Sequence, residues 1–180
     1  VDGKEFFVYP NPKTSGSFYT IIPMDYYAKE SNSTILMNYL KDGVQQQDSL
    51  MLEVTACPYK TEVLSVDSSR VVLSEENQKR ADEEKAQAAI IYATISPINY
   101  ATSKFNYPLE SVITSAYGNA RTYNGVLQSY HGGTDFRAAN GTVLMACNDG
   151  VVVLVGDRFY SGGTVILDHG RGIYSTYFHM

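Results

Sequence analysis

Tryptophan is absent from the sequence, and cysteine and histidine are scarce, with two of the first and three of the second in 180 residues. Two cysteines exclude a disulfide-dense scaffold. Cys57 and Cys147 lie far apart among apolar or small neighbours, "VTACPY" and "LMACND". One bridge between them is arithmetically open, but the expected state is two free thiols buried as small core residues. They do not decide the redox compartment.

Basic character is lacking too. Fourteen Lys and Arg against 19 Asp and Glu leave a net charge of −5. That argues against nucleic acid as a partner, because phosphate binding needs a basic face. No apolar run approaches the length of about 18 residues that a helical membrane span needs. The opening "VDGKEFFVYP" has no basic segment followed by an apolar one, so an export signal is expected to be already removed or never present. Solenoid-length repeats and low-complexity tracts are missing as well. What is present is a 44% hydrophobic content, enough for one generous domain or two small ones, and 15 tyrosines. Tyrosines at this density cap strand faces or, where exposed, stack on a polar ligand such as a glycan.

The patterning is mainly β and falls into three parts. Residues 1–73 carry short apolar runs broken by turn residues. "EFFVYPNPKTSGSFYTIIPM" reads as strand, turn and strand, and "TILMNYLKDG" with "SLMLEVTAC" as a hairpin turning at Asp42-Gly43. "YKTEVLSV" and "SRVVLS" read as closing strands, and the whole as a small β-sandwich-like module. Residues 74–97 form a connector helix, with Ser74 as N-cap, Glu75 and Glu76 in the first turn, and Pro97 as its end. Residues 98–180 return to Gly-rich antiparallel β-structure. Two hairpins are expected there, one turning at Asn148-Asp149-Gly150 and one at Gly170-Arg171-Gly172.

Candidate chemistry is confined to this last part, since His131, His169 and His179 all fall within the final 50 residues. In "HGGTDF", His131 and Asp135 stand four apart, either as two metal ligands or as a turn histidine and an unrelated carboxylate. Gly132 and Gly133 would allow unusual backbone angles that bring both side chains to one point. Imidazole nitrogen with carboxylate oxygen suits zinc, which takes three protein ligands in catalytic sites, so a third must come from elsewhere. His169, beside Asp168, reads as a turn-stabilising residue. If Tyr174 to His179 is extended, Tyr177 and His179 share one strand face with Ser175.

The segment from about Pro108 to Met180 resembles the lysostaphin/LytM-type zinc metallopeptidases, which cut peptide crosslinks of bacterial cell walls. "ITSAYGNARTYNG" is similar to the family's lead-in strand and Arg-x-x-Asn-Gly element. "HGGTDFRAANGTVLMACNDGVV" is similar to its His-x-Gly-x-Asp block and the Gly-Thr-x-Val-x-Ala and Gly-x-Val that follow. "YSGGTVILDHGRGIYSTYFHM" is similar to Gly-Gly-x-x-Val-x-Ile-Asp-His-Gly-x-Gly and Tyr-x-His-Leu. Residues 1–95 resemble the N-terminal regions of some Gram-negative members more loosely.

The resemblance implies an antiparallel β metallopeptidase domain with His131 and Asp135 as zinc ligands. It gives His179 a catalytic, non-ligand role facing the zinc-bound water and the substrate oxygen. It leaves the Asp168-His169 turn without a catalytic role, and Tyr177 becomes a loosely held candidate for substrate contact. The implied setting is the periplasm or cell surface, and the implied partner is a peptidoglycan peptide. The family's third ligand, the second histidine of a downstream His-x-His, has no match before Met180. The expectation is therefore a C-terminally truncated, incomplete domain that is inactive alone. The alternative is a non-catalytic LytM-like protein that binds cell wall or activates a partner hydrolase. Oligomeric state is not legible.

Overall fold

Ser74 caps the helix as its position predicts. Its Oγ accepts a hydrogen bond from the Asn77 N–H at 3.2 Å, and Glu75 and Glu76 lie in the first turn of α1 (Glu75–Ala93). The helix stops before Pro97, at the Thr94 C-cap, whose hydroxyl donates to the Ile90 carbonyl. The structure, a computed structural model, describes residues 6, 8–11, 13–64, 73–123 and 126–180.

The chain divides into two units, Val1–Lys60 and Thr61–Met180. In the first, β1 (Tyr9–Pro10) pairs with β2 (Phe18–Tyr19), and β3 (Ser31–Lys41) pairs with β4 (Val44–Val54) along 11 residues each. Asp42 and Gly43, at φ 52° and 76°, make the two-residue turn between β3 and β4. Positive φ at both positions matches the right-handed strand twist, and an Asp-Gly pair tolerates it. Tyr26 stacks on Tyr59 with centroids 5.0 Å apart, so part of the tyrosine excess is spent on packing within this unit. Cys57 and Cys147 are both free, as expected, but neither is buried. Cys57 lies in the irregular stretch after β4 and is exposed, so its burial is corrected.

The second unit begins earlier than the sequence grouping, which placed a boundary at 73/74. Strand β5 (Thr61–Leu64) pairs in parallel with β7 (Ala120–Tyr123), which itself pairs antiparallel with β8 (Val126–Tyr130). Strand β6 (Ile113–Ser115) pairs antiparallel with β9 (Asp135–Phe136). Most of "SRVVLS" lies outside the described residues. A three-stranded antiparallel sheet follows, ordered β10 (Val151–Arg158), β11 (Gly162–Asp168), β12 (Tyr174–Tyr177). One expected hairpin is absent: residues 141–147 are irregular, and β10 pairs with the strand after it instead. The other is present, with Gly170, Arg171 and Gly172 all at positive φ.

The core sits on β11, where Ile166 is 2% exposed and its neighbour Leu167 is also buried. Adjacent strand residues point to opposite faces, so β11 is covered on both. Burial of each such side chain contributes about 1.5–3 kcal/mol. Against this sheet α1 is held by polar contacts, since only Ala81 of the helix is buried. Arg158 donates to the Gln87 amide oxygen at 2.9 Å and to the Glu84 carbonyl. Glu84 in turn accepts the Phe159 N–H at 2.8 Å, and Arg80 reaches Asp157 at 3.0 Å.

Candidate metal-binding site

Two short pairings bring the site residues together. In the β6–β9 ladder Ser115 stands opposite Asp135. The His131 backbone is tied to the turn after β6: its N–H donates to the Asn119 carbonyl and its carbonyl accepts from the Gly118 N–H, both at 2.8 Å. His131 is thereby buried (7% exposed) while Asp135 is half open to solvent. Their side chains meet at 3.1 Å between Nε2 and Oδ1.

The other ring nitrogen fixes which way the lone pair points. His131 Nδ1 lies 3.1 Å from the Ala116 carbonyl oxygen and 2.8 Å from Ser115 Oγ. A carbonyl can only accept, so this geometry assigns the hydrogen to Nδ1 and leaves Nε2 with its lone pair toward Asp135. Two acceptors then face each other, and the pair is satisfied by a cation between them or by a further proton on Nε2. Two ligands of a tetrahedral zinc stand about 3.4 Å apart for the usual Zn–N and Zn–O bond lengths. The observed 3.1 Å fits that spacing, and the donor types fit zinc.

Among the described residues no group of three His, Cys, Asp or Glu side chains is placed to hold a metal ion. His179 ends the chain region beside β11, its N–H donating to the Ser161 carbonyl at 2.8 Å and its φ at 58°. The left-handed backbone corrects the expectation of a strand running through residue 179, because β12 stops at Tyr177. The His179 ring is exposed, and no described hydrogen bond or ion pair joins it to His131 or Asp135.

One other reading changes. Gly132 and Gly133 do not adopt left-handed φ; a Cβ at Gly133 would lie 3.9 Å from His131 Nε2, so the glycine leaves space beside the candidate ligand atom. Tyr177 has a structural contact. It is buried, and its hydroxyl accepts the Cys147 N–H at 2.7 Å. Burial and the neighbouring Cys147 side chain push its phenol above the ordinary range.

His169 is fully buried, as a structural histidine should be, with Nδ1 2.7 Å from the Asp149 carbonyl and Nε2 2.8 Å from Ser175 Oγ. The donors and acceptors close into one chain. The Cys147 N–H, the Tyr177 and Ser175 hydroxyls (3.1 Å apart), the His169 ring and the Asp149 carbonyl are linked one to the next.

Residues around the pair were not legible as site residues in the sequence. Glu62 of β5 accepts from Asn119 Nδ2 and Ser115 Oγ, each at 2.8 Å on Oε1. These two bonds, helped by Arg121, outweigh burial and hold the Glu62 carboxyl below its usual range. Arg121 lies 3.5 Å from both Glu62 Oε2 and Asp135 Oδ2. Arg121 stood in the Arg-x-x-Asn-Gly element, but nothing in the sequence marks Glu62, more than 50 positions upstream.

Residues 129–180 match the sequence model of peptidase family M23. No curated protein matches the chain. The fold is shared with a crystal structure of a Pseudomonas aeruginosa protein named for peptidase M23, at TM-score 0.64 and 20% identity. The match covers 99% of this chain and 63% of that one, so the chain spans under two thirds of the other protein's length. Residues 129–180 are thus similar to peptidase family M23, and the fold is one that the Pseudomonas protein shares.

Proposed function

We propose that the chain is part of a zinc-dependent peptidase that cuts stem-peptide crosslinks of peptidoglycan in the periplasm or at the cell surface. The observation that supports it is the 3.1 Å approach of His131 Nε2 to Asp135 Oδ1, with Nδ1 committed elsewhere. In this reading His131 and Asp135 supply two of three protein ligands. When bound, zinc supplies a Lewis acid that polarises the scissile carbonyl and makes water nucleophilic near neutral pH. The chain's own residues do the rest. Ala116 and Ser115 keep the His131 ring oriented, Arg121 restrains Asp135, and His179 moves the proton between water and the leaving amine.

The third ligand comes from outside these 180 residues, in keeping with the larger size of the Pseudomonas protein. The 180-residue chain alone therefore holds zinc weakly and is inactive. The test is zinc content and cleavage of purified crosslinked muropeptides by the full-length protein. Stoichiometric zinc with cleavage is expected; zinc bound with every crosslink intact would contradict the peptidase reading. The lack of a three-ligand group among the described residues favours a second reading, a non-catalytic cell-wall binder or hydrolase activator. A full-length protein that binds peptidoglycan without binding zinc would support that one.

A further inference from the structure

The Ser115 hydroxyl has one hydrogen and two neighbours that compete for it, Glu62 Oε1 and His131 Nδ1, each at 2.8 Å. The Ala116 carbonyl, 3.1 Å from Nδ1, favours a hydrogen there, and the direction of the Ser115 hydroxyl either reinforces or opposes that preference. If Ser115 donates to Nδ1, the neutral imidazole carries its hydrogen on Nε2, donates to Asp135, and has no lone pair there for a metal. If Ser115 donates to Glu62, its oxygen is left to accept from Nδ1–H, and the Nε2 lone pair faces Asp135.

We infer that Glu62 is a positioning residue for His131: it takes the Ser115 hydrogen and so reinforces, together with the Ala116 carbonyl, the Nδ1–H tautomer that a metal ligand needs. The inference rests on the reading of His131 as a ligand. It adds a residue that comes from the segment before α1, not from the family segment. Three features carry it. Strand β5 pairs Glu62 with Arg121 in the β5–β7 ladder, which fixes the carboxylate over the site. Two donors, Asn119 Nδ2 and Ser115 Oγ, converge on the same oxygen, so Oε1 is an acceptor held in place. Arg121 lies 3.5 Å from both Glu62 and Asp135, joining the positioning carboxylate to the candidate ligand. Carboxylates that orient metal-bound histidines through the distal nitrogen are a general feature of such sites, and here a serine stands between.

The test is the tautomer of His131 in the 180-residue chain, read from long-range proton–nitrogen correlation spectra of nitrogen-15-labelled protein. Spectra are recorded at about pH 9, above the ordinary histidine range. The wild-type ring is expected mainly as Nδ1–H. Glu62→Ala frees the Ser115 hydrogen and should move the tautomer ratio toward Nε2–H roughly fivefold, the scale of one net hydrogen bond. Glu62→Val, which keeps strand propensity in β5, should do the same if the alanine variant folds poorly. Glu62→Gln should retain the wild-type ratio, because the two donors orient its carbonyl oxygen onto the Oε1 position. In a Ser115→Ala background, Glu62→Ala should change nothing.

An unchanged ratio in both Glu62→Ala and Glu62→Val, or an equal shift without Ser115, overturns the inference. Zinc chloride is added to the wild-type chain in large excess, because two ligands hold it weakly, and is read on the same Nε2 resonance. If zinc leaves it unmoved while the Glu62 effects hold, the ligand reading fails and the positioning stands. If zinc moves it while the Glu62 substitutions have no effect, the positioning fails alone.

Discussion

Glycines in the second unit stand where backbones meet, and two of them set the limits of substitution. A Cβ on Gly150 would lie 2.8 Å from the Asp168 carbonyl oxygen and 2.9 Å from His169 Nδ1. Both neighbours are buried and hydrogen-bonded, so they cannot retreat cheaply. Gly150→Ala is expected to cost about 1–3 kcal/mol, as a shift in urea midpoint. At Gly170 a side chain would overlap the Ile98 carbonyl, and its φ of 86° adds strain. Ser175→Ala tests the buried chain from Cys147 to Asp149. It leaves His169 Nε2 without a donor and should cost about 1–3 kcal/mol in the same assay. This chain of bonds was invisible in the sequence, which marked His169 only as a turn residue. The meeting of His131 and Asp135 was legible because a four-residue spacing is local. Their support was not, because Glu62 reaches the site only through a parallel strand pairing.

At the scale of elements, the start of α1 and its attachment show opposite degrees of legibility. The start of the helix could be read from Ser74 and two glutamates, since capping is a contact between near neighbours. The attachment of the helix could not, as it depends on Arg158, Glu84 and Phe159 meeting across the fold. The irregular 141–147 stretch was misread because "GTVLMAC" has strand composition but takes no strand partner among the described residues.

The clasp also makes stability pH-dependent. Burial pushes the Glu84 carboxyl up, but the Phe159 N–H and the Arg80 and Arg158 guanidiniums outweigh it and leave it lowered. A lowered folded value means its contribution is present above the unfolded carboxylate range and lost as pH falls through the folded value. Glu62 acts in the same direction. Thermal melts should therefore lose midpoint as pH drops below about 4.3, and Glu84→Gln should flatten part of that limb. An acid limb of equal steepness in the variant would remove Glu84 from the explanation.

For the whole molecule, the boundary that matters lies at Lys60/Thr61. A chain starting at Thr61 keeps β5, Glu62 and every contact described around His131. One starting at Ser74 removes β5 and leaves the β7 edge unpaired. Amide spectra should show the Ala116–Asp135 region unchanged in the first and displaced in the second. Mainly β architecture and the presence of α1 were legible from composition, capping and turn residues. The assignment of β5 to the second unit was not, since a four-residue strand carries no mark of its partner.

The central claim is that His131 and Asp135 form one half of a zinc site. Its most direct test is zinc per protein molecule, measured by mass spectrometry on full-length protein after dialysis. The wild type is expected to retain about one zinc, as a three-ligand site does, with His131→Ala and Asp135→Ala each losing nearly all of it. Full zinc occupancy in the His131→Ala/Asp135→Ala double variant would contradict the account.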